Sequence, residues 1–233
     1  MRLALIGRGR MATAVGRLAA ERGHAIALTL GAGDNRDGEG ITRERMAGID
    51  AALEFTRPEA APRNLRRLAM LGIPTVSGTT GWYEHLPEIS TLFLQHRAPL
   101  LYAPNFSPGV QLYLRAARQL AATMAGRATF DAVVSEHHHG AKQDAPSGTG
   151  LALAAALRAG DAQRTYPISS IRGGHEPGTH TVLFDSPHES IRLEHVARSR
   201  DAFAAGAIAA AEWLPGRTGV FTFAQMLFGE EDA

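Results

Sequence analysis

The sequence predicts an α/β protein of two domains, the first with a parallel sheet wound on both faces and the second an α+β domain with an open mixed sheet. Three observations give this prediction. A glycine turn lies between a strand and a helix at the start of the chain. Strands and helices then alternate up to about residue 103, and a run of strands that suits a more antiparallel sheet follows.

The chain begins with the pattern of a βαβ unit. RLALI at 2–6 has the composition of a short buried strand, and Gly7 and Gly9 follow it directly. Segment 10–21 carries apolar residues at helical spacing, and 24–30 is predicted as the second strand. Strand, glycine turn, helix and strand within about 30 residues are typical of a Rossmann-type dinucleotide-binding domain.

The remaining elements are predicted from periodicity and turn residues. Up to about residue 103 we predict further strands at 49–55, 73–77, 92–95 and 100–102 and a helix at 59–71. A last strand at 219–223 is predicted to return to the same sheet. Elsewhere we predict helices at 109–125, 148–159 and 201–214 and strands at 129–136, 168–172, 178–185 and 189–197. We therefore expect a dinucleotide-binding domain at 1–105, completed by 207–233, a central domain at 106–206, and a hinge at 103–110.

Composition excludes several classes of function. The chain has 233 residues, 45% of them hydrophobic and 20% charged, which is ordinary for a globular protein. Its formal net charge of +1 gives no electrostatic reason to expect nucleic acid or an anionic membrane as partner, and the lack of cysteine excludes disulfides and cysteine nucleophiles. No apolar run approaches the roughly 20 residues that span a bilayer, and MRLALIGRGR lacks the features of a signal peptide. We expect a soluble cytoplasmic protein.

The turn Gly7-x-Gly9-x-x-Ala12 fits the dinucleotide fingerprint G-x-G-x-x-G/A. The first glycine makes the turn, the second lets backbone approach a pyrophosphate, and a small third residue lets helix and strand pack closely. Free N–H groups and the dipole at the helix N-terminus favour the same anion. A plain turn is the alternative, but the position between strand and helix favours a nucleotide.

The choice between NADH and NADPH is left open by the sequence. No acidic residue ends the second strand, where one would bind the adenosine ribose, and Asp34 comes only later, in the loop. Arg8, Arg10 and Arg36 are alternative partners for a 2′-phosphate. A second small loop, GTTG at 78–81, follows a predicted parallel strand and suits either a nicotinamide ribose or a tight turn.

The densest polar run of the chain is SEHHHGAKQDAPSGTG at 135–150, with three consecutive histidines. Because neighbouring residues of a strand point to opposite faces, His137 and His139 would share a side and His138 would face the other. A catalytic zinc needs about three convergent ligands, which consecutive residues supply poorly, so no metal is expected. A solvated loop accounts for the histidines but not for their neighbours.

An acid/base site for an anionic substrate accounts for the whole run. Histidine titrates nearest neutrality, and Lys142 supplies a fixed cation. The PSGT turn at 146–149 opens a helix whose N–H groups, with the Thr149 hydroxyl, would hold a carboxylate. Glu136 is expected to orient a histidine, and Asp144 to act in a turn or cap.

The same run resembles the E-x-H-H-x-x-K-x-D-x-P-S-G-T signature of the 4-hydroxy-tetrahydrodipicolinate reductase (dihydrodipicolinate reductase) family. Other motifs of that family recur in order along nearly the whole chain: FTRP at 55–58, GTTG at 78–81, APNFS at 103–107, RGG at 172–174, GTHT at 178–181, SR at 199–200 and FAAGA at 203–207. The chain departs from the family pattern in its first glycine turn, which is one residue shorter than in many members and has Ala12 as its third small residue.

The resemblance implies an oxidoreductase that reduces 4-hydroxy-tetrahydrodipicolinate with NADH or NADPH in diaminopimelate and lysine biosynthesis. The central domain would bind this cyclic dicarboxylate and form a homotetramer. His138 would be the acid/base and Lys142 a proton donor, and the groups in contact with the substrate carboxylates would be His139, Lys142, Gly148 and Thr149.

Cofactor contact is implied by the resemblance for three segments. They are Gly7, Arg8, Gly9, Arg10 and Met11, then Gly78, Thr79 and Thr80, and finally Ala103, Pro104, Asn105 and Phe106. Two alternatives stay open at this point. One is another Rossmann oxidoreductase of a small amino or dicarboxylic acid, such as an aspartate dehydrogenase, and the other is a non-catalytic nucleotide-binding protein that kept the fold.

Overall fold

The computed structural model describes residues 1–229, which form two compact units. The first comprises Met1–Ser107 together with the described residues from Arg200 onward, and the second comprises Pro108–Ser199. The functional division expected from the sequence, 1–105 with 207–233 around 106–206, stays a proposal, and 230–233 lie outside the described residues. Within the described part, no helix is both long and apolar enough to cross a membrane.

A parallel six-stranded sheet forms the centre of the first unit. Its strands are β1 (Arg2–Ile6), β2 (Ala25–Leu30), β3 (Ala51–Glu54), β4 (Thr75–Ser77), β5 (Leu100–Tyr102) and β10 (Val220–Thr222). They lie in the order β10-β5-β4-β3-β1-β2, and their pairings are parallel. The order reverses at β1 and β3, and sheets of this kind bind ligands beside the carboxyl ends of the strands at that point.

Helices cover both faces of this sheet. They are α1 (Arg10–Glu21), α2 (Ala61–Met70), α3 (Leu86–Gln95), α6 (Asp201–Trp213) and α7 (Phe223–Phe228). Alternate residues of β1 reach opposite faces, since Leu3 and Leu5 belong to a core with α1 and α6, and Ala4 and Ile6 to a core with α2 and α3. The predicted doubly wound α/β architecture is confirmed.

One local prediction in this unit needs correction, and one short helix is not predicted at all. Segment 92–95, predicted as a strand, is the last turn of α3. Four residues are too few to display a helical period, whereas the whole helix has proline in its first turn and buries Ile89 and Phe93, four residues apart. The short α7 is not predicted from the sequence; it begins at a capping box in which Thr222 and Gln225 bond reciprocally.

A mixed four-stranded sheet forms the second unit. Its strands are β6 (Asp131–His138), β7 (Ile168–Arg172), β8 (Gly178–Asp185) and β9 (Ser190–Ala197), and its helices are α4 (Pro108–Met124) and α5 (Gly148–Gly160). The order is β7-β6-β8-β9, with β6 parallel to β7 and antiparallel to β8, and β9 antiparallel to β8. Val134, Val182 and Phe184 of the sheet share one core with Tyr113 of α4 and Leu157 of α5. The predicted open mixed sheet is confirmed.

Strand β6 is longer than the sequence predicts. Its predicted end is Glu136, but it runs to His138, because pairing continues between His137 and Thr179 and between His138 and Arg172. Two of the three consecutive histidines are therefore strand residues, and their directions are fixed by the sheet.

Candidate active site

Two cavities of the first unit lie at the carboxyl ends of β1, β3 and β4. The larger has a volume of about 570 Å³ and the smaller about 350 Å³, and both are lined by Gly9, Phe55 and Thr56. The residues predicted to contact the cofactor that line one or both cavities are Gly7, Arg8, Gly9, Arg10, Met11, Gly78, Thr79 and Thr80. The structure thus brings together the two small loops that the sequence pointed to.

The first of these loops leaves backbone open to a ligand. Gly7 has a φ of 121°, and a Cβ there would lie 2.1 Å from the carbonyl oxygen of Phe55, so only glycine fits. Gly9 precedes α1 without a capping side chain, and a Cβ built on it would meet no atom within 4 Å. A pyrophosphate can therefore approach the N–H groups of the first helical turn. The residues present fit a dinucleotide cofactor.

The larger cavity has a basic lining. Four arginines contribute to it, against two carboxylates: Arg8, Arg36, Arg57 and Arg63, with Asp37 and Glu59. Asp34, the acidic residue considered for the adenosine ribose, forms an ion pair with Arg8 at 2.6 Å. The excess of positive charge suits an anionic ligand.

The predicted cofactor segment Ala103–Phe106 is placed differently. None of its four residues is among the described residues that line either cavity. Phe106 is buried in the core, with its ring 6.2 Å from that of Phe55 and 5.1 Å from that of Phe223. The Asn105 Oδ1 atom accepts a hydrogen bond from the Ser107 N–H at 2.8 Å. The ring of Phe106 thus supports Phe55, which does line both cavities.

A buried carboxylate beneath these loops was missed from the sequence. Glu54 ends β3 with no exposed surface, and it accepts hydrogen bonds from the hydroxyls of Thr56 and of Ser77, the latter at 3.0 Å. The Thr56 N–H in turn donates to the Thr79 hydroxyl at 2.8 Å, which ties the segment after β3 to the loop after β4. Burial raises the pKa of Glu54. An acidic residue inside the apolar run IDAALEF was the available signal.

The histidine run divides its residues between the two faces of β6. His138 faces the helices and is only 5% exposed, and burial lowers its pKa. Its ring lies 5.1 Å from that of His180 on β8, edge to face. His137 faces the other way, with Nδ1 2.8 Å from a Glu176 carboxylate oxygen. The imidazole beside the helices is therefore that of His138.

Lys142 and the first turn of α5, both predicted to bind substrate, follow β6 closely along the chain. His139 is half-buried, and its N–H donates to the Glu176 carbonyl at 2.8 Å. Lys142 Nζ donates to Asp144 Oδ1 at 2.7 Å, and this bond lowers the pKa of Asp144. Gly148 and Thr149 form the first turn of α5, where Ser147 is the N-cap and its hydroxyl accepts from the Gly150 N–H at 3.0 Å.

The expectation that Glu136 orients a histidine stays a prediction; the histidine within ion-pair distance of its carboxylate is His180, whose Nε2 lies 3.5 Å from Oε2. The fully buried Glu136 carboxylate bonds to Ser147, Ser170 and Arg172, with an Arg172 Nη2 distance of 2.6 Å. Burial opposes its ionisation, but the hydrogen bonds from Ser147 and Arg172 outweigh burial and lower its pKa to about 2. Sequence reasoning missed Arg172, Ser170 and His180 as members of this cluster, although RGG and GTHT lay among the matching motifs.

Glu136, His138 and His180 are grouped closely enough to suggest a metal site. The donor set argues against a cation there. The Glu136 oxygens already accept several hydrogen bonds, and Arg172 Nη2 lies 2.6 Å from Glu136 Oε1. A divalent ion would have to displace these donors and approach a fixed positive charge.

Comparison with known proteins covers both units. Residues 1–106 match the family model described as dihydrodipicolinate reductase, N-terminus, and residues 109–227 match dihydrodipicolinate reductase, C-terminus. The 4-hydroxy-tetrahydrodipicolinate reductase of Christiangramia forsetii is 34% identical, over 97% of this chain and 98% of that protein. The enzyme of the same name from Acidiphilium cryptum is 37% identical, over 90% of this chain and 89% of that protein.

Solved structures agree on the fold. The dipicolinate-bound dihydrodipicolinate reductase from Paenisporosarcina sp. TG-14 matches with a TM-score of 0.79 at 21% identity, over 95% of this chain and 97% of that chain. A probable dehydrogenase from Thermotoga maritima matches with a TM-score of 0.62 at 8% identity, over 97% of this chain and 93% of that chain. The family models together span nearly all of the chain and include the histidine run and the glycine turn, so the chain belongs to the dihydrodipicolinate reductase family.

Proposed function

We propose that the chain reduces 4-hydroxy-tetrahydrodipicolinate with NADH or NADPH, as a step of diaminopimelate and lysine biosynthesis, and that His138 and Lys142 are its acid/base groups. Family membership supports the reaction and the class of enzyme, an NAD(P)H-dependent oxidoreductase. The observation that supports the residue roles is one arrangement in the second unit. A buried imidazole ends β6, and Lys142 and the first turn of α5 follow it within the same run.

The substrate is held through its carboxylates in this proposal. The Paenisporosarcina reductase binds dipicolinate, a cyclic dicarboxylate, which supports the same class of substrate here. Lys142 would bind one carboxylate by exchanging Asp144 for it, with loss of the present 2.7 Å bond. His139 and the N-terminal turn of α5 at Gly148 and Thr149 would bind carboxylate oxygens as well.

The proton is supplied by His138 or Lys142. When bound, NADH or NADPH supplies a hydride, and the balance requires one proton to be taken up and the 4-hydroxyl to be lost as water. Because burial lowers its pKa, His138 is neutral in the free protein near pH 7, and a bound dicarboxylate favours its protonated form. His138 can then donate to the ring carbon that gains negative charge.

The cofactor is proposed to bind in the two cavities of the first unit. Gly7, Gly9 and the first turn of α1 would hold the pyrophosphate, and Gly78–Thr80 would contact the nicotinamide ribose. Arg36 and Arg57 line the larger cavity and are candidate partners for a 2′-phosphate. Contact with Ala103, Pro104, Asn105 and Phe106 stays a prediction.

A coupled assay tests the reaction. The product of dihydrodipicolinate synthase is mixed with the purified protein and with NADH or NADPH in parallel, and loss of reduced-nicotinamide absorbance is followed. Turnover that depends on both the synthase product and the protein is expected. Turnover with aspartate and NAD instead would assign another oxidoreductase activity, and reduced nicotinamide left unoxidised in every mixture would contradict the proposal.

Assembly and location complete the proposal. We infer a cytoplasmic homotetramer built through the second unit. The face of its sheet that faces away from α4 and α5 exposes apolar side chains, with Val133 47%, Ile171 55% and Val196 49% exposed. Exposed apolar patches on a sheet are typical of surfaces that associate.

A further inference from the structure

The Glu136 carboxylate is bonded to more groups than any proposed role in proton transfer explains. Its side chain has no exposed surface, and both its oxygens lie within hydrogen-bonding distance of the Ser147 N–H, at 2.9 and 3.1 Å. The Ser170 hydroxyl donates to Oε1 at 2.9 Å and Arg172 Nη2 donates to the same oxygen at 2.6 Å. This is a buried ion pair whose remaining acceptor positions are filled from two segments of the chain, β7 and the start of α5.

The bonds to Ser147 connect this carboxylate to the helix start. The Ser147 hydroxyl has one proton, which it donates to Glu136 Oε2, and its lone pairs accept from the Gly150 N–H at 3.0 Å. His180 Nε2 lies 3.0 Å from the same hydroxyl, so it must act as the donor there. Burial, and then the neighbouring His138, lower the pKa of His180 to about 4, which agrees with a neutral ring protonated at Nε2. Every bonding position of the Ser147 hydroxyl is therefore used to fix the N-cap of α5.

The bonds of Arg172 connect the same carboxylate to the loop that carries Lys142 and Asp144, here called the lysine loop. One guanidinium nitrogen, Nη2, donates both to Glu136 Oε1 at 2.6 Å and to the Asp144 carbonyl at 2.5 Å. Asp144 is the residue whose side chain accepts from Lys142. The bond to the Asp144 carbonyl therefore ties the backbone of the loop that carries Lys142 to Glu136, and it does not depend on the side-chain bond that Lys142 gives up for substrate.

We propose that Glu136 is a positioning residue, which together with Arg172 holds the Lys142 loop and the Gly148–Thr149 turn at the separation that a dicarboxylate requires. The inference rests on the proposed function and deepens it. Glu136 itself touches neither substrate nor cofactor in this scheme. It lies two residues before His138 on the same face of β6, so one strand carries both the acid/base group and the anchor of the carboxylate site.

Only a carboxylate satisfies this position. A glutamine has one acceptor oxygen, and its amide nitrogen would face a donor, either the Ser147 N–H or Arg172. An aspartate is shorter by one methylene and cannot reach both partners. In either variant, at least one of the hydrogen bonds that tie the start of α5 and the lysine loop to position 136 would be lost.

The test is Glu136→Gln assayed with the synthase product and, for binding alone, with dipicolinate as the probe. We expect kcat/KM for the dicarboxylate to fall about 100-fold, because a displacement near 1 Å costs that much. The KM for the dicarboxylate and the Kd for dipicolinate should rise about tenfold or more, and the Kd for NADPH should not change. A merely structural role would lower the Tm without this separation of substrate and cofactor affinity.

Companion variants keep the test decisive. Arg172→Met should also raise the dicarboxylate KM, and the double variant should lose little more than Glu136→Gln alone, because Arg172 acts through its contact with Glu136. Ser147→Ala keeps the ion pair of Glu136 with Arg172 but removes the hydroxyl that bonds Glu136 at the helix start. It therefore replaces Glu136→Gln as the test variant if Glu136→Gln fails to fold. Glu176→Gln is the matched control, since its carboxylate pairs with His137 at 2.8 Å on the other face of β6.

Two outcomes would overturn the inference. One is a folded Glu136→Gln protein with the dicarboxylate KM and dipicolinate Kd of the wild type. The other is an equal rise of the dicarboxylate KM and the dipicolinate Kd in Glu176→Gln, which would show a general effect of removing any carboxylate near the site. An inactive wild-type protein would instead contradict the proposed function, so the two failures are distinguishable.

Discussion

At the scale of single residues, burial separates three chemically identical histidines. The sequence predicts that His137 and His139 point to one side and His138 to the other, since strand residues alternate. It does not reveal which side is covered, because that depends on α4 and α5 packing on one face of the sheet. In the structure His138 is on the covered side and His137 is paired with Glu176, as alternation requires.

Replacing His138 tests its role in proton transfer. His138→Gln should lower kcat/KM by about 10²–10⁴, the usual effect of losing a positioned acid or base, with an unchanged Kd for NADPH. The pH profile gives a second reading. An acid is active in its protonated form, so wild-type kcat/KM should fall as pH rises through the pKa of His138, and the variant should lack that decline. A variant that kept both the rate and the decline would remove His138 from the mechanism.

His180 predicts a pH dependence of stability. Its folded pKa of about 4 lies below the ordinary value of about 6.5, so protonation favours the unfolded chain. The stability it contributes is complete above about pH 6.5 and is lost as pH falls toward 4. His180→Gln removes this titration while keeping a donor for Ser147, so its Tm should fall less than that of the wild type between about pH 7.5 and about pH 4.5.

The control for this prediction is His188→Gln. His188 is exposed near the turn between β8 and β9, and its loss should leave the wild-type difference in Tm unchanged. If the Tm of His180→Gln fell as much as that of the wild type between the two pH values, the buried imidazole would not be the group that titrates. Fluorescence or calorimetric melts at the two pH values are sufficient for the measurement.

At the scale of elements, the sequence predicts what periodicity and glycine turns encode. β1, α1 and the turn between them are located within a residue, because fingerprint, apolar spacing and strand composition agree there. α3 is misread when only its last four residues are considered, and β6 is ended early because consecutive histidines look like a loop. The ladder with β7 and β8 decides where β6 ends, and sequence periodicity contains no information on that pairing.

The cluster around Glu136 shows the same limit for the site. Local sequence predicts the helix start at Ser147 and the nearby lysine, since both belong to one continuous run. Arg172 and His180 come from β7 and β8, and only the sheet register brings them beside Glu136. Contacts between residues more than 30 positions apart depend on tertiary structure, so sequence could offer Arg172 and His180 only as members of matching motifs.

Two glycines of the first turn give a matched pair of predictions. Gly7→Ala should lower stability markedly, because its φ is 121° and the new Cβ would lie 2.1 Å from the Phe55 carbonyl oxygen. Gly9→Ala meets no protein atom within 4 Å, so the protein should keep its Tm. Its methyl group would enter the space proposed for the pyrophosphate, and the Kd for NADPH should rise about tenfold or more.

Thermal melts and NADPH titrations of both variants check this pair. The pattern that supports the cofactor site is a low Tm for Gly7→Ala and weak NADPH binding at normal Tm for Gly9→Ala. Unchanged NADPH affinity in Gly9→Ala would place the pyrophosphate elsewhere.

At the scale of the whole molecule, the fold leaves one sheet face of the second unit without a covering helix among the described residues. Residues that alternate with the core positions reach that face, among them Val133, Ile171 and Val196, each close to half exposed. The sequence predicts an open sheet but does not single out this face, because valine and isoleucine are equally common in buried and in half-buried strands. Burial of such a face in an assembly would remove its apolar surface from water.

The proposed homotetramer can be tested on this face. Wild-type protein should have a mass near four times 24.8 kDa by light scattering after size exclusion. Ile171→Asp should shift the mass toward smaller species, because burying an unpaired carboxylate in an apolar contact is costly. Leu94→Asp is the matched control, since Leu94 is 54% exposed on α3 of the first unit and its change should leave the mass unaltered. A monomeric wild-type protein, or an Ile171→Asp protein of wild-type mass, would contradict assembly through this face.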